Sequence, residues 1–183
     1  MKRIGIVGAA GTGKTSLAEE LSAEFKVPLL KSREITDDIL RRDGYDFASG
    51  VQIERFLANS GRQNEILRRT LEQQRSTQEW VTDRTVVDLA AYVVVEMHDM
   101  DALAVSRLVE TCRKNLAAYT HLVVCPWRDV PVEDNKRRTL NPWYQFLIHV
   151  VEMGLLGEWG CGYVVLKSQG KERVEEMKAV LGR

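Results

Sequence analysis

Gly8-Ala9-Ala10-Gly11-Thr12-Gly13-Lys14-Thr15 satisfies G-x-x-x-x-G-K-[ST] at every fixed position, and its flanks constrain the chain more than any other feature. Before it, the apolar run Ile4 to Val7 reads as a buried strand. After it, Leu17, Leu21 and Phe25 recur on one helical face, with Glu19, Glu20 and Glu24 on another. Strand, glycine loop and helix N-terminus is the context in which such a loop cradles phosphate: the glycines let successive N–H groups turn inward, and the helix adds unpaired donors and a positive dipole end. The pattern predicts a nucleoside-triphosphate site built from Gly8, Gly11, Thr12, Gly13, Lys14, Thr15 and Ser16. In it Lys14 reaches the β/γ-phosphates and the Thr15 hydroxyl holds Mg²⁺, so ATP and Mg²⁺ are the expected cofactors.

At 183 residues the chain is expected to form one domain, residues 1–183, with a full core. Lys plus Arg and Asp plus Glu are both 26, a balance that opposes a protein coating a long stretch of nucleic acid. Cys112, Cys125 and Cys161 are odd in number and lack C-x-x-C spacing, as suits free thiols in a reducing cytoplasm. The N-terminus runs straight into the first strand, which leaves no room for a signal peptide. No apolar run approaches the roughly 18 residues of a membrane span.

Further strands are expected at Val27 to Leu30, Trp80 to Asp83, His121 to Pro126 and Tyr163 to Leu166, alternating with helices. Thr36-Asp37-Asp38 is expected to cap a short helix ending near Gly44, and residues 50 to about 79 to be largely helical with a break at Asn59-Ser60-Gly61. Asn141-Pro142 opens another helix, Asn as N-cap and Pro at its first position. Five strands alternating with helices predict an α/β fold of three layers, a parallel sheet covered on both faces. Right-handed crossovers then bring Gly8, Lys31, Asp83 and Pro126 to one sheet edge.

Asp83, ending a strand beside the glycine loop, is the natural second anchor for Mg²⁺. AAA-type ATPases usually carry another acid after it to activate water; here that position is Arg84. Asn135-Lys136-Arg137-Arg138 has Arg where the base-reading N-K-x-D motif of small GTPases needs an acid. Both departures argue against a hydrolysing machine or a switch.

Asp83-Arg84-Thr85 with Asp88 and Tyr92 gives D-R-T-x-x-D-x-x-A-Y, and here the sequence resembles the P-loop nucleoside and nucleotide kinases. It is most similar to the small, often phage-encoded, AAA-annotated kinase-like group and to ribosylnicotinamide-kinase domains. The resemblance covers nearly the whole chain in element order, and its sharp motifs are the glycine loop and D-R-T-x-x-D. It implies a phosphotransferase in which Arg84 contacts the acceptor or the phosphoryl group in flight, and in which Arg33, Glu34, Asp37, Arg84, Asp88 and Tyr92 face the acceptor. Residues 127–140 resemble the lid of this class, with Asp134 to Arg137 fitting D-x-x-R, and Arg137 and Arg138 as mobile catalytic cations. Related nucleoside kinases often carry a base at the end of the second strand, where this chain has Leu29-Leu30-Lys31-Ser32. A base, if one is used, falls to Glu34, Asp37 or Asp83; a phosphate acceptor needs none, which tilts the expectation toward a nucleotide. Two alternatives stand beside a nucleoside or nucleotide acceptor: a kinase of hydroxymethylated pyrimidine in DNA, using Arg62, Arg68, Arg69 and Arg75 to track phosphates, and a regulatory NTP-binding module with slow hydrolysis. Neither a monomer nor a homodimer is specified.

Overall fold

The computed structural model describes residues 1–45, 59–96, 101–127 and 141–182. In chain order the elements are β1 (Arg3–Val7), α1 (Lys14–Phe25), β2 (Leu29–Leu30), α2 (Ser32–Arg42), α3 (Ser60–Arg75), β3 (Trp80–Thr82), α4 (Val86–Glu96), α5 (Ala102–Lys114), β4 (His121–Val124), α6 (Pro142–Glu158), β5 (Val164–Val165) and α7 (Glu172–Leu181). The five strands form one all-parallel sheet in the order β2-β3-β1-β4-β5. With β1 central and β3 and β4 beside it, the loops after β1, β3 and β4 open side by side at one edge, as the sequence predicts.

Helices cover both faces because the strands are buried on both sides, with successive side chains pointing opposite ways. Ile4, Ile6, Val81, Val123 and Cys125 pack against Leu17, Ala18 and Leu21 of α1 and Met177 of α7. Val7, Leu122 and Val124 face the other way, onto Val86, Val87, Ala90, Leu108 and Leu156. Full burial of a Leu or Ile side chain is worth about 1.5–3 kcal/mol, so each of these layers contributes far more than any surface pair.

Gly5 is the one position of β1 that must lack a side chain. A Cβ there would stand 2.5 Å from Cδ1 of Tyr119 and 2.7 Å from Cγ2 of Thr85. The space lets Tyr119 lie across the strand, edge-on to Trp80 at 5.2 Å. Its hydroxyl accepts hydrogen bonds from Gln74 Nε2 at 2.9 Å and from the Val86 amide at 3.0 Å. A residue just before β4 thus fixes the first turn of α4.

One local expectation differs from what is found. Helix α2 starts at Ser32, directly after β2, so Thr36, Asp37 and Asp38 lie inside it rather than at its cap. The extended backbone of Lys31 turns the chain into the helix, and Ser32 is buried against Thr82, their hydroxyl oxygens 3.4 Å apart. Asn59 is the N-cap of α3, its side chain accepting from the Arg62 amide at 3.1 Å. The break expected at 59–61 is thus the start of α3, and residues 46–58 before it lie outside the described residues. Asn141 caps α6 as predicted, accepting from the Trp143 amide at 3.0 Å.

Candidate functional site

The glycine loop joins β1 to α1 at the sheet edge. Gly13, the N-cap of α1, has φ +81°, and a Cβ there would meet the Arg173 guanidinium at 2.8 Å. Only glycine meets both demands. Beyond it, Lys14, Thr15 and Ser16 form the first turn of α1, whose amides have no partner within the helix. Thr15 and Ser16 are exposed there. The Lys14 ammonium folds back over the loop, donating to the carbonyl of Gly8 and, at 3.0 Å, to that of Ala9.

The Thr15 hydroxyl donates to Oδ2 of Asp83 at 2.8 Å. Asp83 is 8% exposed, and its Oδ1 is buried without a hydrogen-bond partner. A hydroxyl oxygen beside a carboxylate with one uncommitted oxygen is a hard-oxygen donor set suited to Mg²⁺, which keeps waters and phosphate oxygens as its remaining ligands. Among the described residues no cluster of three or more His, Cys, Asp or Glu side chains could hold a metal by itself. The residues present fit Mg²⁺ carried in with a nucleotide.

Arg84 follows Asp83, its guanidinium 5.2 Å from the ring centre of Tyr92 in α4. Thr85 and Asp88 form a capping box. The Thr85 hydroxyl oxygen accepts from the amides of Val87 at 3.1 Å and Asp88 at 3.3 Å, while Oδ2 of Asp88 accepts from the Thr85 amide at 2.8 Å and its hydroxyl at 2.6 Å. Thr85 is thus the N-cap of α4. Asp88 is wholly buried, with Oδ1 3.8 Å from Lys14 Nζ. Burial pushes its carboxyl above the ordinary range, and Lys14 pulls it back. Asp88 therefore sits behind the lysine, inside the protein. Burial likewise raises the Tyr92 phenol.

Two residues that the sequence did not single out belong to this neighbourhood. Glu152, in the middle of α6, is wholly buried, and its two oxygens have no partner beyond the neighbouring Asp88 carboxyl. Burial and then the neighbouring Asp88 push it up to about 9, against the pull of Lys14 and Arg84. Arg173 of α7 donates to the Thr12 carbonyl at 3.2 Å across 161 positions of sequence. It also closes one side of a cavity of about 200 Å³ lined by Thr12, Gly13, Trp127, Gln145 and Gln169. Trp127 stands edge-on to Phe146 at 5.1 Å, whereas Trp143 is largely exposed.

Of the sequence-predicted residues, direct contacts link Lys14 to Asp88, Thr15 to Asp83 and Arg84 to Tyr92. Arg33 and Glu34 are exposed in the first turn of α2, and Arg33 Nε lies 3.7 Å from Asp37 within the same helix. Arg137 and Arg138 lie outside the described residues. Among the described residues no helix is long and apolar enough to cross a membrane.

A five-stranded parallel sheet in the order 2-3-1-4-5 with this loop after its central strand defines a P-loop NTPase α/β fold. The chain belongs to the AAA domain family, which it matches over residues 3–173. No curated protein matches it. Among solved structures it is similar to the NadR protein in complex with NR, at TM-score 0.68 and 15% identity over 100% of this chain and 52% of that one. The chain thus spans about half the length of NadR. It is also similar to deoxyadenosine kinase from M. mycoides with dCMP and dCDP bound, at TM-score 0.68 and 14% identity over 98% of both chains. The YorR protein of Bacillus subtilis in complex with phosphorylated GDP shares the fold at TM-score 0.62 and 14% identity, over 99% of this chain and 96% of that one. The three-layer α/β fold expected from the glycine loop and the alternating strands and helices is therefore the fold found.

Proposed function

We propose that residues 1–183 act as a single phosphotransferase domain that moves the γ-phosphoryl group of ATP to a nucleoside or nucleotide, with Mg²⁺. The observation that carries this reading is the junction Asp83-Arg84. An acid hydrogen-bonded to Thr15 is followed at once by a cation held over Tyr92, where a hydrolase needs a second acid.

The loop amides and the α1 N-terminus bind the triphosphate, Lys14 swings from the loop carbonyls to the β/γ-phosphates, and Thr15 and Asp83 hold Mg²⁺. The bound ion supplies neutralisation of charge on the β- and γ-phosphate oxygens. Arg84 meets the phosphoryl group or the acceptor, and Arg137 and Arg138 are the further cations for the charge of the phosphoryl group in flight. The cavity beside Thr12 and Arg173 receives the donor base. Arg33, Glu34 and Asp37 line the acceptor side, and Tyr92 acts through Arg84.

The solved structures sharing this fold carry NR, dCMP, dCDP and phosphorylated GDP, which supports a nucleoside or nucleotide acceptor. Three of the four arginines that DNA would have to use are paired with acids: Arg62 with Asp43 at 2.8 Å, Arg68 with Glu72 at 2.6 Å and Arg69 with Asp38 at 2.8 Å. That favours a small acceptor over a duplex. The free thiols of Cys112, Cys125 and Cys161 suit a cytoplasmic protein.

Incubation with γ-labelled ATP and Mg²⁺ against nucleosides, nucleotides and hydroxymethylated DNA tests the proposal. Label on a nucleoside or nucleotide is expected. ADP release with no labelled acceptor in the panel would replace this reading with the regulatory NTP-binding module.

A further inference from the structure

Helix α6 buries Gln145, Ile148, Glu152 and Leu156, one face at helical spacing. Glu152 breaks the pattern: a fully buried carboxyl on the same helical face as Ile148 and Leu156, on a helix that packs against α4. An ionised carboxylate there, without a single donor, would be prohibitively costly. The charged and titratable groups that face it are Asp88 and Tyr92 on α4, Arg84 just before that helix and Lys14 on α1. His149 lies one turn earlier on α6, half-buried, its basicity lowered by burial.

Asp88 is the better hydrogen-bonded of the two acids. Its Oδ2 takes two hydrogen bonds from Thr85, and its Oδ1, otherwise unpartnered, has Lys14 at 3.8 Å. Glu152 has no comparable donor. Two buried carboxyls facing one another are satisfied only when one carries a proton, and these hydrogen bonds assign the anion to Asp88.

We propose that Glu152 is held as a neutral carboxylic acid, shares its proton with Oδ1 of Asp88, and acts as a positioning residue for Lys14. With Glu152 neutral, the cluster holds the two cations Lys14 and Arg84 against the single anion Asp88, and is positive toward an incoming phosphate. With Glu152 ionised, two buried anions would hold Lys14 inward and compete with the phosphates for it. The push of burial and of Asp88 on the Glu152 carboxyl, up to about 9, agrees with the proton staying on it at neutral pH. The inference rests only on the phosphate-binding half of the proposed function and needs no acceptor.

The test compares the full-length protein with Glu152→Gln, whose amide is the isostere of the protonated acid, and Glu152→Ala. Infrared difference spectra of wild type minus Glu152→Gln at pH 7 are expected to show the C=O stretch of a protonated carboxyl. Calorimetric titration with Mg·ATP across pH is expected to show wild-type Kd rising about tenfold per pH unit once the pH passes about 9. The Gln variant should lack that limb and bind more tightly than the Ala variant at pH 7. An ionised carboxylate band at pH 7, or an identical alkaline limb in wild type and Glu152→Gln, would overturn the proposal. Absence of ATP binding at pH 7 would instead count against the donor-site reading, and the infrared band would still decide where the proton lies.

Discussion

Lys14 Nζ lies 3.8 Å from the buried Oδ1 of Asp88, so the cation of the glycine loop is also the counter-ion of the acid that caps α4. Removing Lys14 therefore does two things. Lys14→Ala is expected to reduce phosphoryl transfer to background, because nothing else in the loop supplies its charge to the β/γ-phosphates. It also leaves Asp88 buried without its cation, a change that typically costs about 3–5 kcal/mol when the charge persists. Burial already raises Asp88, and losing Lys14 raises it further. A raised carboxyl contributes stability that is full below its unfolded value and declines as pH rises. Urea denaturation should thus show a stability deficit of Lys14→Ala that is small at pH 4 and larger at pH 8. A deficit independent of pH would mean that Asp88 does not depend on Lys14.

Asp83 and Thr15 share a 2.8 Å hydrogen bond while Oδ1 of Asp83 is uncommitted. Asp83→Asn keeps the shape and removes the charge. By analogy with side chains that orient metal ligands, it should move the Mg²⁺ midpoint for activity by about 10–100-fold. An unchanged magnesium titration would exclude Asp83 as an anchor, direct or through water.

The void over Gly5 is filled by Tyr119. Gly5→Ala forces the ring away from β1 and pulls its hydroxyl from the Val86 amide, 3.0 Å away. Overpacking of this kind costs about 1–3 kcal/mol, and the lost cap at α4 adds to it. Equilibrium denaturation should show a loss of at least about 1 kcal/mol, and no change would mean that the strand shifts to accommodate the methyl.

What the sequence showed of this site follows from how local each part is. The glycine loop lies within eight consecutive residues between a strand and a helix, and Asp83 stands at a strand end, so both were readable. The Thr85-x-x-Asp88 spacing is also a capping-box signature, and the structure shows both residues in that arrangement. Glu152 was not readable. One Glu in a helix with Trp143, Phe146 and Leu147 on the outside suggests a solvated residue, and only the packing of α6 on α4 makes it internal. Arg173 reaches Thr12 from the far end of the chain through the β5–α7 connection, which no local pattern announces. The Arg-rich face of α3, read as a phosphate track in one alternative, is occupied by acids from α2 and from α3 itself.

Glu152 also sets a pH dependence of stability distinct from its effect on binding. Its ordinary value near 4.5 is raised to about 9 in the folded protein. Folding therefore retains a proton that the unfolded chain releases, and stability declines with rising pH throughout that interval. Glu152→Gln has no proton to retain. Its stability relative to wild type should be near zero at pH 4.5 and reach a few kcal/mol in its favour at pH 8, each unit being worth about 1.4 kcal/mol. Parallel melts of the two proteins at both pH values give the comparison. A constant difference would mean that Glu152 titrates normally in the fold.

Arg84 and Tyr92 allow the chemistry of the site to be separated from its support. A guanidinium 5.2 Å from a ring centre gains about 0.5–2 kcal/mol, depending on how far water is excluded. Losing the ring should therefore cost about 2- to 30-fold. A cation that meets the phosphoryl group only in the transition state is worth far more, about 10³–10⁵ in rate. The expected order of kcat/KM is wild type, then Tyr92→Phe close behind it, then Tyr92→Leu, then Arg84→Ala lowest by a wide margin. For Arg84→Ala the loss should fall in kcat with little change in KM for ATP, because ground-state binding rests on the loop and Lys14. Should Arg84→Ala lose no more than Tyr92→Leu, Arg84 is a packing partner of the ring. The cationic role in transfer would then rest on Arg137 and Arg138 alone.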